Sequence, residues 1–218
     1  MDKGNWERCN LYILKIELEN IGRRFNREWI FRQVNYQFIQ GESYAILGPN
    51  GSGKSTFLQV LAGNLSPSSG GLNYSLNNTN LDVGRVFEHL SLAAPYLELI
   101  EEFTLRELIT YHFRFKKPVK GWDADRIIQL LDLGQSENKE IRYFSSGMKQ
   151  RTKLVLACCA DTPLLFLDEP TSNLDAQGVE WYHQLIKEFS KQRLLIVCSN
   201  QLQEYSFCTN HLMIEDYK

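Results

Sequence analysis

The segment Gly48–Ser55 constrains the fold of this chain most strongly. Its residues, Gly-Pro-Asn-Gly-Ser-Gly-Lys-Ser, follow the pattern G-x-x-x-x-G-K-[ST]. The apolar run Tyr44–Leu47 precedes it, and apolar residues at helical spacing follow over Lys54–Ala62. This order predicts a buried strand, a glycine-rich loop and a helix in direct succession.

The composition of this phosphate loop (Gly48–Ser55) suits a polyphosphate. Glycines allow several backbone N–H groups to converge on one anion, and the start of the helix adds a favourable field. Lys54 supplies a positive charge, and the Ser55 hydroxyl can ligate Mg²⁺. We therefore predict nucleotide binding. The predicted binding residues are Gly48, Pro49, Asn50, Gly51, Ser52, Gly53, Lys54, Ser55 and Thr56.

Two carboxylates end a second apolar run, Leu164–Leu167. Open parallel sheets bind ligands beyond the carboxyl ends of their strands, so this run and the phosphate loop are expected at one sheet edge. Asp168 suits Mg²⁺ coordination there. Glu169 is placed to polarise a water that attacks the terminal phosphate.

Composition excludes several classes of protein. The chain has 218 residues, which favours a single domain that spans residues 1–218. Its net charge of −2 argues against a dedicated nucleic-acid binder. No apolar run reaches the length of a membrane span, and Met1–Asn5 opens no signal peptide. The five cysteines and four histidines show no metal-ligand spacing, so we expect buried thiols and a cytosolic location.

Apolar strands separated by helical segments predict a parallel sheet covered on both faces. Extended segments are predicted at Leu11–Leu18 and Ile30–Ile39, and helices at Thr104–Phe115 and Trp122–Leu133. Ser66–Gly71 reads as a turn before a polar hairpin or surface strand.

Several spaced motifs resemble the ATP-binding cassette (ABC) ATPases. The signature segment (Phe144–Arg151, Phe-Ser-Ser-Gly-Met-Lys-Gln-Arg) is similar to the family signature, and Asp168–Asp175 to its carboxylate motif and D-loop. The resemblance covers about residues 11–216. It implies an α/β fold: a P-loop NTPase core with a mainly parallel sheet, N-terminal antiparallel strands and an inserted helical subdomain near residues 95–145.

The resemblance also implies a function. ATP and Mg²⁺ would be the ligands, and Ser145, Ser146 and Gly147 would close over the nucleotide of a second copy, head to tail. The chain would be the cytoplasmic motor of a transporter, peripheral on the inner face of the cell membrane and driving a separate permease. Tyr96–Phe103 and the segment to Phe115 would carry the coupling surface. The basic residues at the end of this segment would contact lipid headgroups or the permease, or form a solvated face: Arg114, Lys116, Lys117 and Lys120.

Three motifs depart from the family pattern. Ser146 and Met148 replace a glycine and the glutamine of the signature, and the run Gly147–Arg151 is similar to that of export-type members. Ala94 or Pro95 stands where the family has a glutamine. Asn200 stands where the family has a histidine, and its amide cannot carry charge.

These departures leave the binding apparatus whole and predict slow hydrolysis, with Glu169, Lys54 and Asn200 as the catalytic residues. Phe25 matches the aromatic residue that stacks on adenine, and Trp29 is the alternative. Two other functions stay open. One is a soluble ABC ATPase acting on DNA, ribosomes or protein assembly. The other is a weakly hydrolysing regulatory ATP-binding module.

Overall fold

Two β-sheets organise the chain in this computed structural model, which describes residues 13–218. The strands are β1 (Leu14–Phe25), β2 (Glu28–Ile39), β3 (Ser43–Leu47), β4 (Ser69–Leu76), β5 (Thr79–Leu81), β6 (Leu90–Ala93), β7 (Leu164–Asp168), β8 (Leu194–Ser199) and β9 (Asn210–Met213). The helices are α1 (Lys54–Leu61), α2 (Leu105–Phe115), α3 (Ala124–Leu131), α4 (Ser146–Cys158), α5 (Ala176–Phe189) and α6 (Leu202–Tyr205).

The larger sheet is parallel, with strand order β6-β7-β8-β3-β9. Its register pairs Leu47 with Ser199 and Asp168 with Cys198. The carboxyl ends of β3, β7 and β8 therefore meet at one edge, as the sequence predicts. The smaller sheet is antiparallel, with order β2-β1-β4-β5.

The parallel sheet is buried on both faces. Along β7, Leu164 and Phe166 pack with α1 and the antiparallel sheet, whereas Leu165 and Leu167 pack with the helices on the other face. Two buried faces remove any need for alternation, which explains the continuous apolar run.

Helices α2 and α3 form the helical block of the described chain. Helix α2 begins at a capping box in which Thr104 and Glu107 satisfy each other's backbone N–H groups. Asp123 caps α3 by accepting from the Arg126 N–H, and Asp132 ends it in a left-handed conformation. These two ends make α3 shorter than the predicted Trp122–Leu133.

The other predicted boundaries that differ from the structure lie in the antiparallel sheet. Ser69–Gly71 was predicted as a turn but belongs to β4, because Gly71 pairs with Glu19 and Ser69 with Gly22 of β1. The predicted hairpin forms at Asn77 and Asn78, both with positive φ. Leu11 and Tyr12, the start of the first predicted strand, lie outside the described residues.

The four described cysteines, Cys158, Cys159, Cys198 and Cys208, are buried free thiols, and burial raises the pKa of Cys158 to about 12. This confirms the prediction of buried thiols for those four cysteines, whereas Cys9 lies outside the described residues. Across residues 13–218, no helix is long and apolar enough to cross a membrane.

Candidate functional site

The phosphate loop joins β3 to α1 through backbone conformations that favour glycine. Gly48, Gly51 and Gly53 have φ angles of 151°, 77° and 105°. A Cβ atom on Gly53 would collide with Ile30 Cγ2 of β2. The loop therefore needs glycine both for its dihedral angles and for its packing against the tip of the antiparallel sheet.

Lys54 lies inside this loop and is only 4% exposed. Its Nζ donates to Gly48 O at 2.8 Å and to Pro49 O at 3.0 Å. No carboxylate within residues 13–218 forms an ion pair with it, so the loop holds a buried cation on neutral carbonyls alone. The buried Ser52 hydroxyl also has no hydrogen-bond partner there. Both groups suit an anionic ligand.

Asp168 ends β7 with 1% of its surface exposed. Neither carboxyl oxygen has a hydrogen-bond partner of normal geometry among the described residues. Burial raises the pKa of Asp168 to about 6, although the nearby Ser55 hydroxyl and Lys54 charge lower it in part. Buried oxygens without partners, beside a serine hydroxyl, fit the oxygen-rich ligand set that Mg²⁺ prefers.

Glu169 is half-buried and has a left-handed backbone, with φ of 43°. Its N–H donates to Cys198 O of β8 at 2.9 Å. A non-glycine residue in this conformation costs about 1–3 kcal/mol, so the surrounding structure must hold it. The fold thus fixes Glu169 at the sheet edge, next to Asp168.

Asn200 follows β8 and reaches the phosphate loop directly. Its Nδ2 donates to Asn50 Oδ1 at 2.9 Å. The structure therefore brings Asn200 to the predicted binding loop. The Asn200 side chain is a neutral amide, and its Nδ2 could donate to a phosphate oxygen in place of Asn50 Oδ1.

The signature residues lie elsewhere. Ser145 caps α4 by accepting from the Met148 N–H at 3.2 Å, and Gly147 packs against Asn173 O. A cavity of about 350 Å³ opens at this helix start, and no phosphate-loop residue lines it. Within the described chain, Ser145, Ser146 and Gly147 are therefore not part of the site that contains Lys54.

Phe25 is 46% exposed at the end of β1. The guanidinium carbon of Arg23 lies 4.6 Å from its ring centroid. Trp29 is half-buried, with Arg24 5.5 Å from its ring centroid. Phe25 thus keeps the exposed aromatic surface that a stacked base needs. It lies at the tip of the β1–β2 hairpin, and Ile30 of β2 packs against Gly53 of the phosphate loop.

Sequence reasoning missed Tyr96, which follows the two positions where the family glutamine is absent. Ala94 is fully buried, and Lys153 Nζ donates to Pro95 O at 2.9 Å. Tyr96 is 43% exposed, and burial together with the nearby Asp168 charge raises its pKa to about 12. The phenol is thus the polar side chain that this loop presents near Asp168. Its position just beyond β6 was the available signal.

Comparison with known proteins agrees with this geometry. A model of the ABC transporter family matches residues 31–172, more than half of the chain. The lantibiotic transport ATP-binding protein SrtF of Streptococcus pyogenes is 29% identical over 192 residues, covering 86% of this chain and 80% of that protein. ABC transporter I family member 1 of Arabidopsis thaliana is 28% identical, covering 87% of this chain and 83% of that protein.

Solved structures share the fold. A dimeric bacterial ABC transporter cassette superimposes with a TM-score of 0.75 at 21% identity, covering 91% of this chain and 94% of that chain. A putative ABC transporter ATP-binding protein from Pyrococcus furiosus gives 0.77 at 18% identity, covering 94% and 99%. The two-sheet architecture, the phosphate loop and the family match lead to one conclusion: the chain is a nucleotide-binding domain of the ABC transporter family.

Proposed function

We propose that this chain hydrolyses ATP as the motor subunit of an ABC transporter. One observation carries the proposal. The buried Asp168 carboxyl, without a hydrogen-bond partner of normal geometry in the described residues, borders Ser55 of a phosphate loop that encloses the Lys54 cation. A structural carboxyl at this depth would find partners within the protein.

Each residue then has a chemical role. Lys54 and the amides at the start of α1 would hold the β- and γ-phosphates. Ser55 and Asp168 would hold Mg²⁺, which neutralises charge on the phosphate oxygens when bound. Glu169 would orient the attacking water and accept its proton as the γ-phosphorus bond to the bridging oxygen breaks. Asn200 would donate to a γ-phosphate oxygen without adding charge, so we expect slow turnover.

A second copy would complete the site. The cavity at the start of α4 offers the Ser146 and Gly147 amides and the positive end of the helix dipole, and no phosphate-loop residue lines it. A head-to-tail dimer would bring this helix start over the nucleotide of the partner. The similar cassette of known structure is dimeric, which supports a dimer of this chain.

The permease would dock between the helical block and the core, at what we call the docking cleft. This cleft of about 380 Å³ is lined by Leu97, Leu99 and Phe87, among others. Phe87 is 64% exposed, and Phe115 at the end of α2 is 73% exposed. Exposed aromatic residues beside a partly apolar cleft are typical of a protein interface. Docking here would place the chain on the cytoplasmic face of the membrane.

The basic residues near this cleft divide into two groups. Lys116 Nζ donates to Phe87 O at 2.9 Å and to Leu90 O, so it supports the wall of the cleft. Arg114, Lys117 and Lys120 are exposed. These three are the residues that would meet headgroups, the permease or solvent.

Phosphate release from MgATP by the purified chain tests the hydrolysis, with Glu169→Gln as the variant that keeps the binding groups. We expect slow release by the parent and almost none by the variant. ATP binding without release by the parent would favour the regulatory module instead, and equal release by both proteins would contradict the role of Glu169.

Co-purification with a multi-span membrane protein encoded beside this chain tests the coupling. Loss of that complex in Phe115→Ser would locate it.

A further inference from the structure

Glu204 is a fully buried carboxyl group that no motif of the sequence singles out. It lies in α6 with 0% of its surface exposed. One carboxyl oxygen, Oε1, accepts from Thr171 N at 2.8 Å and from Thr171 Oγ1 at 2.5 Å. The other, Oε2, accepts from the Ser199 hydroxyl.

These two partners belong to the two loops that carry the proposed chemistry. Thr171 lies two residues after Glu169, and Ser199 directly precedes Asn200. The carboxyl group of Glu204 therefore spans the gap between the loop after β7 and the end of β8, with one oxygen bonded to each.

Both loops also have further anchors. Tyr182 of α5 donates its hydroxyl to Glu204 O at 2.9 Å, which holds α6 against the core. Ser199 Oγ accepts from the Gln201 N–H at 2.8 Å. On the other side, Gln150 of α4 donates to Pro170 O at 2.8 Å. The Glu204 carboxyl is the group in this network that bonds to both loops.

Burying a carboxyl group is costly unless donors satisfy it, and an apolar side chain would pack the same space without that cost. No lysine or arginine within residues 13–218 lies within ion-pair distance of it. Three donors on two loops thus offset the cost. What the group adds beyond packing is a fixed relative position of those loops.

We propose that Glu204 is a positioning residue that sets Glu169 and Asn200 relative to each other for hydrolysis. The inference rests on the proposed function. Glu169 needs outside support because its left-handed backbone is strained. Because a misplacement of about 1 Å can cost about a hundredfold in rate, releasing one loop should slow hydrolysis and leave nucleotide binding intact.

The experiment compares kcat, KM, the Kd of a non-hydrolysable ATP analogue and the Tm of the purified chain. Glu204→Gln keeps the shape and one acceptor oxygen. Thr171→Val and Ser199→Ala each remove one hydroxyl donor and carry the test if Glu204→Gln does not fold. Thr152→Val is the matched control, since it removes a buried hydroxyl that donates to Met148 O of its own helix, α4.

We expect kcat to fall at least tenfold in Glu204→Gln and at least threefold in Thr171→Val and Ser199→Ala. The Kd and KM should stay within threefold of the parent, and Thr152→Val should keep the parental kcat. A lower Tm with an unchanged kcat would overturn the inference, because it would show a purely structural role. A parent chain that hydrolyses no MgATP would overturn the proposed function, and the inference with it. If the parent hydrolyses MgATP and all three variants have the same kcat as the parent, the inference is overturned and the proposed function is not.

Discussion

Asn200 Nδ2 donates to Asn50 Oδ1 at 2.9 Å, although 150 residues separate the two in the chain. This bond joins the end of β8 to the phosphate loop. It links two neutral amides at an exposed position, so it stabilises the fold little and breaks easily when a stronger acceptor binds. A phosphate oxygen is such an acceptor, because it carries charge.

Changing Asn200 should therefore affect turnover more than binding. We expect Asn200→His to raise kcat about tenfold, which corresponds to about 1.4 kcal/mol of added transition-state stabilisation. Asn200→Ala should lower kcat, because the amide donor is lost. Both variants should keep KM within a few-fold of the parent. Steady-state kinetics of the three proteins measures this, with Asn80→Ala on the exposed strand β5 as control. Equal kcat values for the three proteins would show that Asn200 has no role in hydrolysis.

Lys54→Ala should weaken ATP binding or abolish turnover. The ammonium is buried against two loop carbonyls, where it would meet the phosphates. Losing a charge-assisted hydrogen bond costs about 1.5–3 kcal/mol, or about ten- to a hundredfold in affinity. Titration calorimetry with ATP measures the loss. Lys187→Ala removes the same charge from an exposed position of α5 and should bind as the parent does. Parental binding and hydrolysis by Lys54→Ala would contradict the assignment of the phosphate loop.

Glu169→Gln should trap a head-to-tail dimer with MgATP. The amide keeps the shape and loses the ability to take a proton, so bound ATP persists. Size-exclusion chromatography at tens of micromolar protein would show a dimer with ATP and a monomer without it.

A second variant tests the geometry of that dimer. Adding Ser146→Glu places an anion at the exposed start of α4, where it is compatible with the helix dipole but repels a γ-phosphate. The double variant should fold and stay monomeric. A dimer that forms equally well with this added charge would contradict the head-to-tail arrangement.

The stability of the free chain should depend on the protonation of Asp168. Burial raises its pKa from the ordinary 3.8 to about 6, which corresponds to about 3 kcal/mol. Because the folded-state pKa lies above the unfolded value, this contribution to stability is fully present below about pH 4. It is lost as the pH rises through 6. Without Mg²⁺ and nucleotide, Asp168→Asn should raise the Tm at pH 7.5 by about 6–12 °C, at about 2–4 °C per kcal/mol for a chain of this size.

At pH 3.5 the same substitution should change the Tm little, since the parent carboxyl is then mostly protonated in both the folded and the unfolded chain. Asp216→Asn, at an exposed position near the C-terminus, removes the same charge and should shift the Tm little at either pH. Differential scanning calorimetry at both pH values makes the comparison. An Asp168→Asn effect of the same size at both would show that burial of the charge is not its cause.

Local features of the sequence determined much of the fold. The phosphate loop between Leu47 and Lys54 was predictable because glycine positions, a preceding apolar strand and a following helix are all short-range signals. The helical block and the strand ending at Asp168 were predictable for the same reason. The boundaries that failed, such as Ser69–Gly71, depended on pairing with β1, a distant segment.

The tertiary structure alone decided which of these groups meet. The strand order β6-β7-β8-β3-β9 is not the order of the chain, and it places β3 beside β8, so that Asn200 reaches Asn50. Burial likewise raised the pKa of Asp168, and the folded chain placed the Glu204 carboxyl between two loops. The residues next to Glu204 in the sequence give no sign that this carboxyl is buried. Local propensity fixes the elements, whereas desolvation and long-range hydrogen bonds depend on what the folded chain packs against each group.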